Sequence, residues 1–343
     1  MKVLVAMSGG VDSSVAAAEL IGAGHQVVGA TMKLWGGHSD TGCCSVADVE
    51  DARRVAGQLG VEHHVFNFTD DFEARVVSPY VDEHLAGRTP NPCVECNRHL
   101  KFDRLLHRAR QLGFDAVATG HHARVEQRHG RWALLRGRDA DKDQSYVLSM
   151  LGQAQLAHVL LPVGEMTKAE VRRRAAELGL ATAVKPDSQD VCFIGRADRR
   201  AGFIGARAPL KPGRLVDARS GEEVGTVDAV ELVTVGQRRG MGSAGDGGRR
   251  YAVAVDVASA TVTVGDLAEL MVTSVPVGPF TWVDGPLDAG APVSVQTSAH
   301  GATVEGTIGA GRVDLTGPIR RVAPGQTVAV YRDDAVLGSA VAG

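Results

Sequence analysis

The chain has 343 residues, 44% hydrophobic and 22% charged, a soluble globular profile too long for one hydrophobic core, so two or three domains are expected. No apolar run reaches the roughly eighteen residues of a membrane-spanning helix, and a net charge of −3 does not announce a nucleic-acid partner. Five cysteines, Cys43, Cys44, Cys93, Cys96 and Cys192, are too few for a disulfide framework and point to catalysis or metal binding.

The first residues carry a single lysine and run straight into a glycine motif. They read as a first β-strand over Val3–Met7, not as a signal peptide, so a cytoplasmic location is expected. A helix follows from Ser13 to Ile21, then a strand from Gln26 to Thr31. Asp48 to Leu59 has the apolar spacing of an amphipathic helix, with Asp48 as N-cap and Gly60 as stop. Glu62–Phe68 reads as a strand, Lys101–Leu112 as a helix and Asp115–Thr119 as a strand. This alternation predicts an α/β domain over residues 1–199, a parallel sheet with helices on both faces and a ligand at the carboxyl ends of its strands.

Beyond about residue 200 the helical period fades, and 23 of the 42 glycines lie there, although it is the shorter part of the chain. Short Val/Thr-rich runs such as Glu223–Val227, Thr261–Val264 and Thr327–Tyr331 predict a small β-rich central domain at 200–268 and a C-terminal β-barrel at 269–343. Paired arginines, among them Arg172-Arg173-Arg174, Arg238-Arg239 and Arg249-Arg250, permit a local phosphate-binding face and equally suit solvated helices or loops.

Ser8-Gly9-Gly10-Val11-Asp12-Ser13-Ser14 lies between the first strand and the first helix. Two glycines allow a tight turn that presents amides to an anion, and the helix N-terminus and serine hydroxyls add to this. Asp12 is placed to hold Mg²⁺ on the phosphates. The loop lacks the Gly-Lys-Ser/Thr of a Walker A motif and the G-x-G-x-x-G of a dinucleotide fold. It resembles the loop of the ATP pyrophosphatase superfamily, whose members adenylate a substrate oxygen.

Further along come Asn91-Pro92-Cys93-Val94-Glu95-Cys96-Asn97, Thr119-Gly120-His121-His122, Asp141-Lys142-Asp143-Gln144, Asp187-Ser188-Gln189-Asp190-Val191-Cys192 and Gly236-Gln237-Arg238-Arg239-Gly240. In this order the segments resemble the bacterial tRNA-specific 2-thiouridylase family, and the resemblance covers nearly the whole chain. It implies ATP-dependent 2-thiolation of the wobble uridine of Glu, Gln and Lys tRNAs: O2 is adenylated, sulfur attacks C2, and AMP leaves. It also implies a partner delivering persulfide or sulfide, such as a cysteine desulfurase or a relay protein.

By this resemblance Cys96 is the catalytic nucleophile and Cys192 the persulfide carrier, the two ending as a disulfide. ATP binding is implied for Ala6, Met7, Ser8, Gly9, Gly10, Val11, Asp12, Ser13, Met32 and Gly120. Asn91, Pro92 and Cys93 match the stretch against the target base. His121, Lys142, Asp143, Gln144 and Gln326 match tRNA-contacting positions.

Three positions depart from the family pattern. Cys93 stands where many relatives have aspartate, so Cys93, Cys96 and Cys192 form an alternative set, ligands of an iron–sulfur cluster. Val295-Gln296-Thr297-Ser298 replaces an Arg-Tyr pair that touches tRNA, and His122 replaces a tyrosine. Two other function classes remain in view: an adenylating enzyme acting on a small molecule, and a non-catalytic RNA-binding or iron–sulfur protein.

Overall fold

The computed structural model describes residues 1–35, 45–187, 191–194, 199–243 and 248–343. Of the five cysteines, Cys43 and Cys44 lie outside these residues. The N-terminal unit contributes strands β1 (Lys2–Ala6), β2 (Gln26–Lys33), β3 (His63–Asn67), β4 (Ala116–Ala118), β5 (Ala123–Arg128), β6 (Arg131–Arg136) and β7 (Val159–Leu160). Five of them form a parallel sheet in the order β3-β2-β1-β4-β7. Val3 lies opposite Val27 on one side and Ala116 on the other.

Alternation along β1 splits the apolar residues between two layers. Val3 and Val5 pack with helix α1 (Val11–Gly22), helix α2 (Val46–Leu59) and the helix Lys168–Glu177 through Val15, Leu20, Val55 and Val171. Leu4 faces the other layer, with Phe72, Tyr80, Leu100 and Leu105. On that side, π-helical stretches at Glu73–Val77 and Asn97–Leu105 interrupt the helices that contain them. The helix expected from Lys101 therefore starts earlier, at Pro92, because the Asn91 side chain caps it by accepting from the amides of Cys93 (3.1 Å) and Val94 (3.4 Å).

The start of α2 also differs from expectation. Ser45, not Asp48, is its N-cap: Ser45 Oγ accepts from the Asp48 amide while the Asp48 carboxylate accepts from the Ser45 amide. Asp48 thus occupies the third helical position of a capping box.

The central unit holds β8 (Gly213–Asp217), β9 (Glu223–Val227), β10 (Tyr251–Asp256) and β11 (Thr261–Gly265), in the order β10-β11-β8-β9. Two of its pairs, β10–β11 and β8–β9, are antiparallel, whereas β8 and β11 pair in parallel, Leu215 opposite Val262. The chain from β9 through β10 crosses over before β11 returns beside β8.

The C-terminal β-barrel domain holds β12 (Met271–Pro276), β13 (Thr281–Trp282), β14 (Pro292–Gln296), β15 (Val304–Gly309), β16 (Arg312–Arg320), β17 (Thr327–Arg332) and β18 (Ala335–Val341). Its sheet runs β12-β16-β15-β14-β17-β18-β6-β5, so a hairpin of the N-terminal unit extends it. Arg124 bonds Asp334 at 2.6 Å, and the Arg136 amide donates to the Asp334 carbonyl. Leu134, Tyr146 and Leu148 share one apolar cluster with Val283, Ala329, Tyr331 and Val336.

Candidate active site

The sheet order reverses between β1 and β4, so the crevice beyond their carboxyl ends is where a ligand of such a sheet binds. The Ser8–Ser14 loop leaves β1 there, and Thr119-Gly120 leaves β4 beside it. Gly9 has φ +70°, and a Cβ on it would lie 2.3 Å from the Asp48 carbonyl oxygen. A Cβ on Gly120 would lie 2.5 Å from the Ser13 amide nitrogen. Both glycines are therefore required by close backbone approach.

Gly10 is the N-cap of α1 and has no side chain to occupy the first amides, which leaves that helix end open to an anion. Ser13 Oγ accepts from the Ser8 amide (3.2 Å) and donates to the Gly10 carbonyl (3.1 Å); Ser14 Oγ donates to the same carbonyl at 2.8 Å. The hydroxyls brace the loop. Met7 and Val11 are buried beneath it, the Met7 amide donates to Ala30 next to Ala6 in the sheet, and Met32 lies near the end of β2.

Asp12 is the centre of a charged network. His122 Nε2 lies 3.1 Å from Oδ1, and Lys168 Nζ is 2.7 Å from both carboxylate oxygens. Lys168 also lies 2.9 Å from Asp187, which pairs in turn with Lys142 (3.0 Å) and Arg172 (2.7 Å). Burial alone would raise the Asp12 pKa, but hydrogen bonds from His122 and Lys168 outweigh it and hold the group below its ordinary value. Asp187 also feels burial, yet its lysine partners bring it down to about 2.

The second half of the candidate site is its set of cysteines. Cys93 is exposed on the first turn of the Pro92–Cys96 helix, and Cys96 is buried at its end. Cys192 is half-buried and packs against the apolar cluster that contains Cys96. The next residue, Phe193, is buried among Trp35, Phe72, Tyr80 and Phe203, with ring centroids 5.2–6.3 Å apart. This aromatic anchor holds the Cys192 segment on the layer that carries Cys96.

The remaining predicted residues are placed as follows. Gln144 Oε1 accepts from the His122 amide at 2.9 Å, and its own amide donates to the His122 carbonyl, which fixes the backbone beneath Asp12. The His121 ring is buried beside Phe102 and bonded to Thr119 (2.7 Å); burial, then Lys101 and His122, push its pKa well down, so it is a neutral ring turned away from any surface. The Asp143 carboxylate is taken up by Arg136, the Gly137 amide and Ser145. Gln326 Nε2 donates to the Thr89 carbonyl, and the Thr89 amide donates to Pro324, so the barrel grips the loop leading to Asn91-Pro92-Cys93. Gln296 is buried and bonds Ser298 and Ala299.

Sequence reasoning did not name Lys168, and it named Asp187 and His122 only within the matched segments and Arg172 only within an arginine run, without assigning any of them to this site. One signal was available: Thr167-Lys168-Ala169-Glu170 has the spacing of a capping box, which the structure shows, and that puts Lys168 at the first turn of a helix.

A glycine loop between a parallel strand and an uncapped helix, at the switch point of such a sheet, is the arrangement of a nucleotide-binding α/β protein. Family models match in three consecutive parts: a tRNA methyl transferase HUP domain over residues 1–196, a tRNA methyl transferase PRC-barrel domain over 201–266 and an aminomethyltransferase β-barrel domain over 274–342. The tRNA-specific 2-thiouridylase MnmA of Rhodococcus erythropolis is 46% identical, covering 100% of this chain and 96% of its own. The proteins of the same name from Mycobacteroides abscessus (46%; 99% of each chain) and Mycolicibacterium smegmatis (47%; 97% and 96%) are as similar. A 4-thiouridine synthetase solved with RNA and ATP aligns with 56% of this chain and 44% of its own at 20% identity and a TM-score of 0.38, too distant a likeness to bear on function. The chain belongs to the tRNA-specific 2-thiouridylase family.

Proposed function

We propose that this protein is an ATP-dependent tRNA-uridine 2-sulfurtransferase acting on the wobble uridine, and that Glu, Gln and Lys tRNAs are its substrates. The observation that carries the reading is full-length similarity to thiouridylases at 45–47% identity, together with a nucleotide loop at the end of β1 and two cysteines packed in one apolar layer against that sheet. Transfer of a methyl group, which the family descriptions mention, calls on neither an open phosphate-binding loop nor a cysteine pair. A small-molecule adenylating enzyme leaves the matched central and C-terminal domains without a task.

The uridine O2 attacks the α-phosphorus of ATP; the bond to the bridging oxygen breaks, pyrophosphate leaves with the electron pair, and the N3 proton is lost. Amides at the start of α1, with Ser8 and Ser13, bind the phosphates. Asp12 would hold a Mg²⁺ only in place of Lys168, which takes both of its carboxylate oxygens here, and such an ion would supply positive charge to the triphosphate. The terminal sulfur of a Cys192 persulfide then attacks C2, and AMP departs. Cys96 thiolate attacks Cys192 Sγ, the disulfide forms, and the electron pair stays on the 2-thio sulfur. Cellular thiols reset the pair.

The cluster alternative fits less well. Among the described residues, no group of three or more His, Cys, Asp or Glu side chains is arranged to hold a metal ion, Cys93, Cys96 and Cys192 included. No step is routed through a cluster. Loaded persulfide comes from a donor protein of the cysteine desulfurase or relay kind. Among the described residues no helix is long and apolar enough to cross a membrane.

The test is thiolation in vitro with ATP, tRNA and a persulfide donor, reading 2-thiouridine by nucleoside mass spectrometry and pyrophosphate in parallel. Cys96→Ala is expected to drop 2-thiouridine below about a tenth of wild type with ATP affinity unchanged. Residual thiolation above that level would remove Cys96 from the role. Pyrophosphate release that ignores tRNA would favour a small-molecule substrate.

A further inference from the structure

We propose that Tyr146 is a positioning residue for the sulfur-transfer step: it holds Asn91, and through Asn91 the helix that carries Cys93 and Cys96. That helix begins at Pro92, and Asn91 Oδ1 takes its first amides, those of Cys93 and Val94. The other end of the Asn91 side chain meets the Tyr146 hydroxyl. Since Oδ1 is occupied, the Asn91 Nδ2 donates there and the phenol oxygen accepts. The hydroxyl in turn donates to the Thr327 carbonyl of β17 at 2.8 Å. Tyr146 is buried, which pushes its pKa well up and keeps it a donor. A second bond grips the far end of the same short helix. Asn97, the buried neighbour of Cys96, donates from Nδ2 to the Val147 carbonyl at 3.0 Å. Between the two bonds, Val94 packs in one apolar cluster with Tyr146 and Leu148.

Residues 146 and 147 thus bracket both cysteines, at Asn91 on one side and Asn97 on the other. The two residues before them fix the bracket. Ser145 Oγ donates to Asp143 and lies 3.3 Å from the Tyr331 hydroxyl, and Gln144 is bonded twice to the backbone of His122, whose ring meets Asp12. Four consecutive residues therefore register the cysteine helix against both the glycine loop and the barrel. A tilt of the helix would strand a buried donor or acceptor, so the arrangement has one low-energy setting. Sulfur transfer needs such a setting, because a misplacement of about 1 Å can cost about a hundredfold in rate. Both ends of the Asn91 amide are spent inside the protein. Asn91 therefore serves a target base by setting the loop, not by a hydrogen bond from its side chain. The role in sulfur transfer rests on the reading of Cys96 as the nucleophile; the hold on the helix does not.

The test compares the full-length wild type with Tyr146→Phe, Asn91→Ser and the double variant, using tRNA, ATP, Mg²⁺ and a persulfide donor. Serine keeps an oxygen for the helix cap and lacks the amide that reaches Tyr146. Each single variant is expected to lower kcat for 2-thiouridine at least about tenfold. The KM for tRNA and the single-turnover burst of pyrophosphate are expected to stay within about twofold. Because both changes cut the same bond, the double variant is expected to lie within about twofold of the weaker single one. Losses that multiply in the double variant overturn the proposal. So does a raised tRNA KM in Asn91→Ser beside a harmless Tyr146→Phe, which would make the Asn91 amide a base contact. Losses that fall equally on pyrophosphate and 2-thiouridine mark a merely structural role and overturn it too. Alkylation of the exposed Cys93 by iodoacetamide, without tRNA or donor, tests the hold on the helix by itself. Its rate is expected to change at least threefold in Tyr146→Phe, and an unchanged rate removes the hold. A wild type that makes no 2-thiouridine sinks the functional reading and leaves this second measurement to decide.

Discussion

The two carboxylates beyond β1 are kept charged against the cost of burial. Asp187, at about 2, sits below the ordinary value of 3.8 because Lys168 and Lys142 prefer its ionised form, with Arg172 paired to the same oxygen as Lys168. A folded-state pKa below the unfolded one stabilises the protein fully above about pH 4 and loses that contribution as pH falls toward 2. Asp187→Asn is therefore expected to lose less stability than wild type between pH 5 and pH 3 in chemical denaturation; equal losses would show that the pairs are too well solvated to matter. Gly120→Ala should be costly for a different reason. Its methyl group would meet the Ser13 amide and the Asp12 backbone, neither of which is a movable side-chain end. A loss of about 1–3 kcal/mol in urea unfolding is expected, with ATP affinity falling at least tenfold by calorimetry. Unchanged affinity would show that the loop relaxes without harm. At this scale Asp12, Ser13 and Gly120 were legible in the sequence because each belongs to a local motif. The partners of Asp12 were not: His122 stood out only as a departure from the family pattern and Lys168 carried only a capping-box spacing, and neither mark ties them to Asp12, 110 and 156 residues away.

Among elements, the strands and helices of the first sheet follow their apolar periods closely, and errors gather at ends where a side chain competes for the backbone. Asp48 has the chemistry of an N-cap, but Ser45 three residues earlier can bond reciprocally with it, and the pair wins over the single cap. Ser45→Ala should cost about 1 kcal/mol of stability. Because the Asp48 carbonyl abuts Gly9, it should also weaken ATP binding, and a change in stability without a change in affinity would separate cap from loop. The β5–β6 hairpin was missed altogether. Its turn places His129 at φ 51° and Gly130 at φ 78°, two left-handed residues as a two-residue hairpin loop requires. An Asn-Gly turn would have announced itself; His-Gly, between strands rich in arginine, does not.

For the whole molecule, the apolar cluster around Tyr146 and Tyr331 joins residues of the N-terminal unit to residues of the C-terminal barrel. Tyr146 donates to the Thr327 carbonyl (2.8 Å), and the Arg136 guanidinium lies 3.9 Å from the Tyr331 ring centroid. Removing residues 269–343 would uncover this cluster and the free edge of β6. The truncated protein is expected to aggregate or to lose cooperative thermal unfolding, so that ATP and tRNA binding fail together. A soluble truncation with wild-type ATP affinity would show that the N-terminal unit needs no barrel.

That shared sheet also bears on how the protein is made. Asp334, which receives the β5–β6 hairpin, lies 210 residues beyond Arg124. At about 5–20 residues per second, a ribosome needs on the order of ten to forty seconds to supply it. During that interval β6 offers an unpaired edge and Thr89 has no partner from the barrel. The nascent chain is then both open to chaperones and unable to hold the loop leading to Asn91-Pro92-Cys93, which is gripped only once Pro324 and Gln326 of the barrel have emerged.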